Sequence, residues 1–213
     1  MASHERLDIF DPDQTWVGTA TRAEAHARGL WHQTFHCWVI EPQTKRVLLQ
    51  LRHRDKDTFP GKLDVSAAGH LLAGESVCDG VRELEEELGL AVRFEELRYC
   101  GTVPQESIIA KDLIDREFNH VFLYASSQPL DAYQFQEEEI SGLYYIGLDD
   151  FRQLTAGKIG EAWIEGIRID EASGARSDDR RLIGMGELTP NTEAYYALLF
   201  EQALAVGYEG FNS

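Results

Sequence analysis

Apolar positions fall into short runs broken by turn chemistry, and their period changes along the chain. ERLDIFD alternates apolar Leu7 and Ile9 with polar Asp8, the two-residue period of a strand, and Asp11-Pro12-Asp13 ends it in a turn. Thr21 to Gly29 reads as a short helix or turn, with Thr21 a candidate cap and Glu24 at the capping-box spacing. WHQTFHCWVIE and RVLLQLRHR are strand-like, separated by a turn at Pro42-Gln43-Thr44, and read as a hairpin. From Arg82 the period becomes helical. Leu84 and Leu88 face one way, and Glu83, Glu86 and Glu87 cluster on another side. AVRFEELRYCGTVPQES and REFNHVFLYASS read as strands, and SGLYYIGLDDFRQL as a strand, a turn and the start of a helix. The remainder suggests two strands around a polar loop at Glu171–Asp179. A C-terminal helix follows, with Asn191 as candidate cap and Ala194, Leu198 and Ala205 on a face.

With no repeats or low-complexity linker, residues 1–213 read as one domain. Its core spans about 5–155, and 156–213 form a hairpin insertion and the C-terminal helix. The hairpin, which carries Trp163, is expected either to cover the substrate or to pair across a homodimer.

Composition narrows the function classes. At 43% hydrophobic and 27% charged, the 213 residues are ordinary for a soluble chain. No run approaches the ~20 apolar residues of a membrane span, and the start is too polar for a signal peptide, so a cytoplasmic setting without a membrane partner is expected. The formal charge of −17 argues against a nucleic-acid polymer as partner. It also repels a small phosphorylated substrate unless metal ions and local cations reverse the field at the site. Cys37, Cys78 and Cys100 have neither metal nor redox spacing, and their odd number argues against a disulfide framework.

Like charges three and four apart on a helix cost roughly 0.2–0.5 kcal/mol per pair. A hard divalent ion, Mg²⁺ or Mn²⁺, turns the crowding of Glu83, Glu86 and Glu87 into an advantage. The run follows a Gly-rich loop, Gly69 to Gly74, which lets backbone approach a metal shell and makes Gly69 a candidate ligand. Just upstream, LRHRDKDTFPGKLD places Arg52, Arg54, Lys56 and Lys62 as a basic island in an acidic chain. Arg52 and Lys56 are the candidate diphosphate cradle. His26, His32, His36 and His70 are scattered through the same third of the chain.

From Gly69 to Leu90 the sequence resembles the Nudix hydrolases. Gly69 is followed by five residues and Glu75, then by Arg82-Glu83-Leu84-Glu85-Glu86-Glu87-Leu88-Gly89-Leu90. It departs once: six residues, not seven, separate Glu75 from Arg82. The glutamates downstream stay in register, and the departure bears on Glu75 and on where the helix starts. The resemblance implies an α/β fold, a Nudix α/β/α sandwich with a mixed β-sheet. It also implies Mg²⁺-dependent hydrolysis (Mn²⁺ being the other candidate ion) of a diphosphate bond in a nucleoside diphosphate derivative or related small diphosphate. Metal ligands would be Glu83, Glu86, Glu87 and Gly69, with Arg82 tied to a neighbouring carboxylate.

From about Leu7 to about Phe151 the chain looks most like the isopentenyl diphosphate isomerase-like branch. The matching stretches are LDIFD, Gly18-x3-Arg22-x3-His26, GLWH, KDTFPGKLDVSAAGH and EFNHVF. That branch binds metal through positions matching His26, His32 and His70 plus two acids, here Asp115 and Glu117, which gives a second candidate metal set. His70 is also a candidate substrate contact. The isomerases carry a catalytic Cys where this chain has Ala68. A hydrolase on an isomerase-like frame is therefore expected, with Glu86 or Glu117 as the general base and Glu83 as the further catalytic carboxylate. An isomerase and a non-catalytic nucleotide-binding regulator are the alternatives. Trp31, Phe59 and Trp163 are base or prenyl contacts only if they are not core.

Overall fold

The computed structural model describes residues 5–209, with side chains to residue 204. β1 (Arg6–Phe10) and β2 (Trp16–Thr21) form a separate two-stranded ribbon. α1 (Arg22–Arg28) follows, capped by Thr21, whose side chain accepts from the Glu24 amide at 3.2 Å, as the spacing predicts. The main sheet comprises β3 (His32–Glu41), β4 (Arg46–Arg52), β5 (Leu63–Asp64), β6 (Ala67–His70), β7 (Arg98–Ala110), β8 (Leu113–Ala125), β9 (Ile140–Gly147), β10 (Ala162–Ile169) and β11 (Arg176–Ile183). Its order is β11-β10-β9-β4-β3-β8-β7, with β5 on β4 and β6 on β3. The sheet is mixed, because β3 and β8 run parallel while the other pairs are antiparallel.

Side-chain alternation on β3 builds two cores. Phe35, Cys37 and Val39 face a layer that includes Leu84 and Leu88 of α2 (Arg82–Leu88). Trp38 and Ile40 face α3 (Leu148–Thr155) and α4 (Glu193–Glu209), whose Phe151, Tyr195, Leu199 and Phe200 are buried with them. The expected α/β/α sandwich is the observed arrangement.

Several local readings need correction. The expected β3–β4 hairpin pairs only at its tip, Ile40 with Val47 and Glu41 with Arg46. Beyond that the strands part, β3 joining β8 and β6 while β4 joins β9 and β5. Strand β2 had no clear alternation to announce it. The α4 cap is Thr192, whose hydroxyl accepts from the Tyr195 amide at 3.2 Å, rather than Asn191. The buried face of α4 carries Tyr195, Tyr196, Leu199, Phe200 and Ala203, because burying the larger aromatic rings removes more apolar surface from water. Ala194 is exposed, Leu198 half-buried, and the Ala205 side chain lies outside the described residues. The β10–β11 hairpin continues the sheet at β9, with β10 paired on both sides and β11 forming the sheet's outer edge.

The residue missing between Glu75 and Arg82 is absorbed by a 3-10 turn over Val77–Val81, which uses fewer residues per turn than an α-helix. Gly80 lets this turn press onto β3, where an added Cβ would lie 2.6 Å from Cβ of fully buried Phe35. A glycine-to-alanine change gains at most about 1 kcal/mol of helix propensity, whereas overpacking a rigid core costs about 1–3 kcal/mol. Gly80→Ala is therefore expected to lower stability by about 1–2 kcal/mol net in urea denaturation. The three cysteines are free. Cys37 is buried with its thiol pushed well up by burial, burial also pushes Cys100 up to about 12, and Cys78 is exposed. A thiol reagent at pH 8 should titrate Cys78 rapidly in the native protein and all three only after denaturation.

Candidate active site

Gly69 and His70 end β6, beside the start of α2. Glu83 and Glu87, one turn apart, turn inward and are 8% and 7% exposed, while Glu86 looks outward at the rim. Glu83 packs directly on the Gly69 backbone, in the space a Cβ would occupy. Glu87 accepts from Gln50 Nε2 at 3.2 Å and from the Ala68 amide at 3.0 Å, both neutral donors. Burial, reinforced by the neighbouring glutamates, pushes Glu83 up to about 7 and Glu87 up to about 8.

Arg82 gathers this end of the site. It donates to Glu75 through Nε at 3.0 Å and Nη2 at 3.2 Å, to Glu83 at 2.5 Å, to Glu86 at 3.2 Å, and to the His70 carbonyl at 3.0 Å. Glu75 also accepts from the Leu72 amide at 2.7 Å, so it keeps its place despite the shortened spacing.

These groups open on a cavity of about 660 Å³. At its other side stand His26 from the end of α1, His70 from β6 and Asp115 from β8, grouped with the fully buried His32 from the start of β3. One donor atom of each lies within 4.8 Å of the others. The ring centroids are 5.0–5.3 Å apart. His26 Nε2, His32 Nε2, His70 Nε2 and Asp115 Oδ1 are buried without hydrogen-bond partners. His32 Nδ1 lies 2.9 Å from the Leu30 carbonyl, which fixes the proton there and leaves Nε2 as a lone-pair donor. Burial holds all three histidines below the ordinary imidazole range, hence neutral. Neutral imidazoles beside a carboxylate form a donor set for a divalent cation. Glu117 comes within 3.9 Å of His32 and 3.8 Å of His70, and burial together with Asp115 raises its carboxyl well above the usual range. Among the described residues this is the one such compact donor group. Glu83, Glu86 and Glu87 line the same cavity without closing into a second one.

The basic island divides. Arg52 and Lys56 line the cavity. Arg52 is braced by Asp64 at 2.8 Å and by the carbonyl and hydroxyl of Thr58, and Lys56 pairs with Glu139. Arg54 turns to Glu171 and Lys62 to the Gly186 carbonyl, tying this loop to the C-terminal region. Of the three aromatics, Phe59 lines the cavity. Trp31 stacks on Phe118 with centroids 4.7 Å apart, and Trp163 lies under Arg180 on β10. Sequence reading missed Arg22, Gln105 and Thr189–Asn191 as cavity walls. Arg22 stood in the Gly-x3-Arg-x3-His stretch and could have been found there. The others arrive through tertiary folding and left no local signal.

Residues 30–165 match the NUDIX domain family. The chain is 39% identical over 197 residues to an uncharacterized Nudix hydrolase from Clostridium acetobutylicum, covering 92% of this chain and 95% of that one. It is 35% identical over 155 residues to Nudix hydrolase 3 of Arabidopsis thaliana, covering 70% of this chain but 20% of that longer protein. An isopentenyl-diphosphate Delta-isomerase from Serratia proteamaculans shares 31% over 120 residues, 56% of this chain and 65% of the isomerase. Among solved structures, one from Deinococcus radiodurans superimposes with TM-score 0.56 at 23% identity, over 72% of this chain and 90% of that one. The MutT protein from Methanosarcina mazei gives 0.52 at 17%, over 84% and 96%. This protein belongs to the Nudix hydrolase family, and it has the family's mixed-sheet α/β fold.

Gly69→Ala should drive a methyl group into the Glu83 carboxylate and displace it from the cavity wall. The expected outcome is a folded protein, by circular dichroism and thermal melting, with divalent-ion affinity lowered at least about tenfold in calorimetry. Unchanged affinity would mean that Glu83 takes no part in holding the ion.

Proposed function

We propose that this Nudix protein is a Mg²⁺-dependent hydrolase of the diphosphate bond in a small molecule, a nucleoside diphosphate derivative or a related ester. The observation that carries the reading is the cavity itself. Two buried carboxylates, Glu83 and Glu87, share it with the unpartnered donors of His26, His70 and Asp115, grouped with fully buried His32, and with the cations Arg52 and Lys56. Burying carboxylates at this density is costly unless cations join them.

Glu83, Glu86, Glu87 and the Gly69 carbonyl would hold Mg²⁺ or Mn²⁺, and His26, His32, His70, Asp115 and Glu117 a second ion. The unpartnered Nε2 and Oδ1 atoms fit that role. Bound divalent ions supply charge neutralisation at phosphoryl oxygens and a water of lowered pKa. The protein's own part is positioning and charge, the main demand of phosphoryl transfer. Arg82 orients Glu83 and Glu86, the Ala68 amide and Gln50 fix Glu87, and Arg52 and Lys56 face the anionic substrate. Glu86 is the general base we favour over Glu117. It is half exposed at the cavity rim, where a water can reach it, whereas Glu117 is enclosed among the histidines.

An isomerase reading draws support from the histidine set, but the position of its catalytic thiol is Ala68, which can neither donate nor accept a proton. Isopentenyl diphosphate would separate the two: dimethylallyl diphosphate as product means isomerase, and released phosphate means hydrolase. In a diphosphate panel with Mg²⁺, Glu83→Gln and Glu86→Gln should each lose on the order of 10²–10⁴ in turnover while remaining folded. Chelation should silence the wild type and added Mg²⁺ restore it. Full turnover in both variants would refute the assignment.

A further inference from the structure

His36 stands on β3 facing α4, outside both donor sets, and its free edge lines the cavity. Its Nδ1 lies 2.8 Å from the hydroxyl of Tyr195, the rings meeting edge-on at 68°. The Trp38 indole donates to that same hydroxyl at 3.0 Å. Tyr195 is 0% exposed, so its proton must find an acceptor within the protein. An indole N–H can only donate, and the acceptor within reach of Tyr195 is His36 Nδ1. The arrangement that satisfies every donor is therefore Trp38 to Tyr195 to His36 Nδ1, which leaves the imidazole proton on Nε2. A cationic ring would set a second N–H against the tyrosine and strand the phenolic proton. Burial also lowers His36 to about 4, in keeping with a neutral ring. Across the strand pair, His36 is opposite Ala68, whose single methyl leaves the imidazole edge open to the cavity.

We propose that His36 is a ligand-binding residue whose Nε2–H, fixed by Tyr195 and Trp38, donates a hydrogen bond to an oxygen of the bound diphosphate ester. Tyr195 is then a positioning residue, and it comes from α4, beyond the 30–165 family match. The proposal rests on the diphosphate reading for the ligand, though not for the tautomer. A preset neutral donor binds oxygen without adding a charge that product release must overcome.

The test combines two readouts. Long-range ¹H–¹⁵N NMR on histidine-labelled protein should show His36 with its proton on Nε2 in the wild type and a mixture of tautomers in Tyr195→Phe. Calorimetry with Mg²⁺ and two non-hydrolysable probes, methylenediphosphonate and α,β-methylene-ADP, then locates the oxygen. His36→Phe should weaken binding about tenfold or more. Both probes are affected if the acceptor is a phosphoryl oxygen, and only the nucleotide if it lies elsewhere on the ester. His36→Gln, whose amide N–H can take the place of Nε2–H, should stay within about threefold of wild type, and Tyr195→Phe should fall between. A His36 proton on Nδ1, or His36→Phe binding both probes like wild type, overturns the proposal alone. Failure of both probes to bind the wild type overturns the diphosphate reading together with it.

Discussion

Arg82 spends its five guanidinium protons on three carboxylates and one carbonyl, Glu75, Glu83, Glu86 and His70. Four glutamates share this small volume, and two of them are buried. A planar fork with a permanent charge can serve several of them at once, which a lysine ammonium cannot do with the same geometry. The pairing also joins segments. Glu75 follows the loop, Glu83 and Glu86 lie on the helix, and the carbonyl ends β6. Burial opposes the guanidinium's charge, but the neighbouring carboxylates outweigh it and raise its pKa above the ordinary value, so Arg82 stays cationic. Breaking it would leave Glu83 uncompensated in a site where burial already opposes its ionisation.

Gly69 and His70 put the two halves of the cavity next to each other. The first accepts the Glu83 carboxylate against bare backbone, and the second contributes its imidazole to the histidine group. The parallel pairing of β3 with β8 does the remaining work. It sets His32 opposite Glu117, with Asp115 two residues away on the same face. Antiparallel pairing of those strands would set different residues opposite His32. The chemistry of the site therefore depends on the topology of the sheet as much as on the helix that carries the glutamates.

Much of this could be read from residue order. The helix from Arg82, its glycine terminus, the capping by Thr21, β1, β9 and the C-terminal hairpin all follow from local period and turn chemistry. So does the clustering of Glu83, Glu86 and Glu87, while the basic island before the loop pointed to Arg52 and Lys56 by charge and position alone. What escaped is non-local. The early split of β3 from β4 depends on which strands win the edges, and no hairpin signal reports that. The short spacing before Arg82 concealed a 3-10 turn, and Gly80, a poor helix residue, is there for its closeness to Phe35. Arg54 and Lys62 belong to the same basic run as Arg52 yet point elsewhere, because partners more than 100 residues away hold them. Neither period nor composition encodes such partners.

The cavity is walled from both directions of the chain. Glu5 and Arg22 come from its early part, Thr189, Pro190 and Asn191 from its late part, and Thr189 is bonded to Asp64 at 2.7 Å. The Thr189 hydroxyl and the Arg52 guanidinium meet on the same Asp64 carboxylate, so the late wall and the basic side of the cavity are anchored at one group.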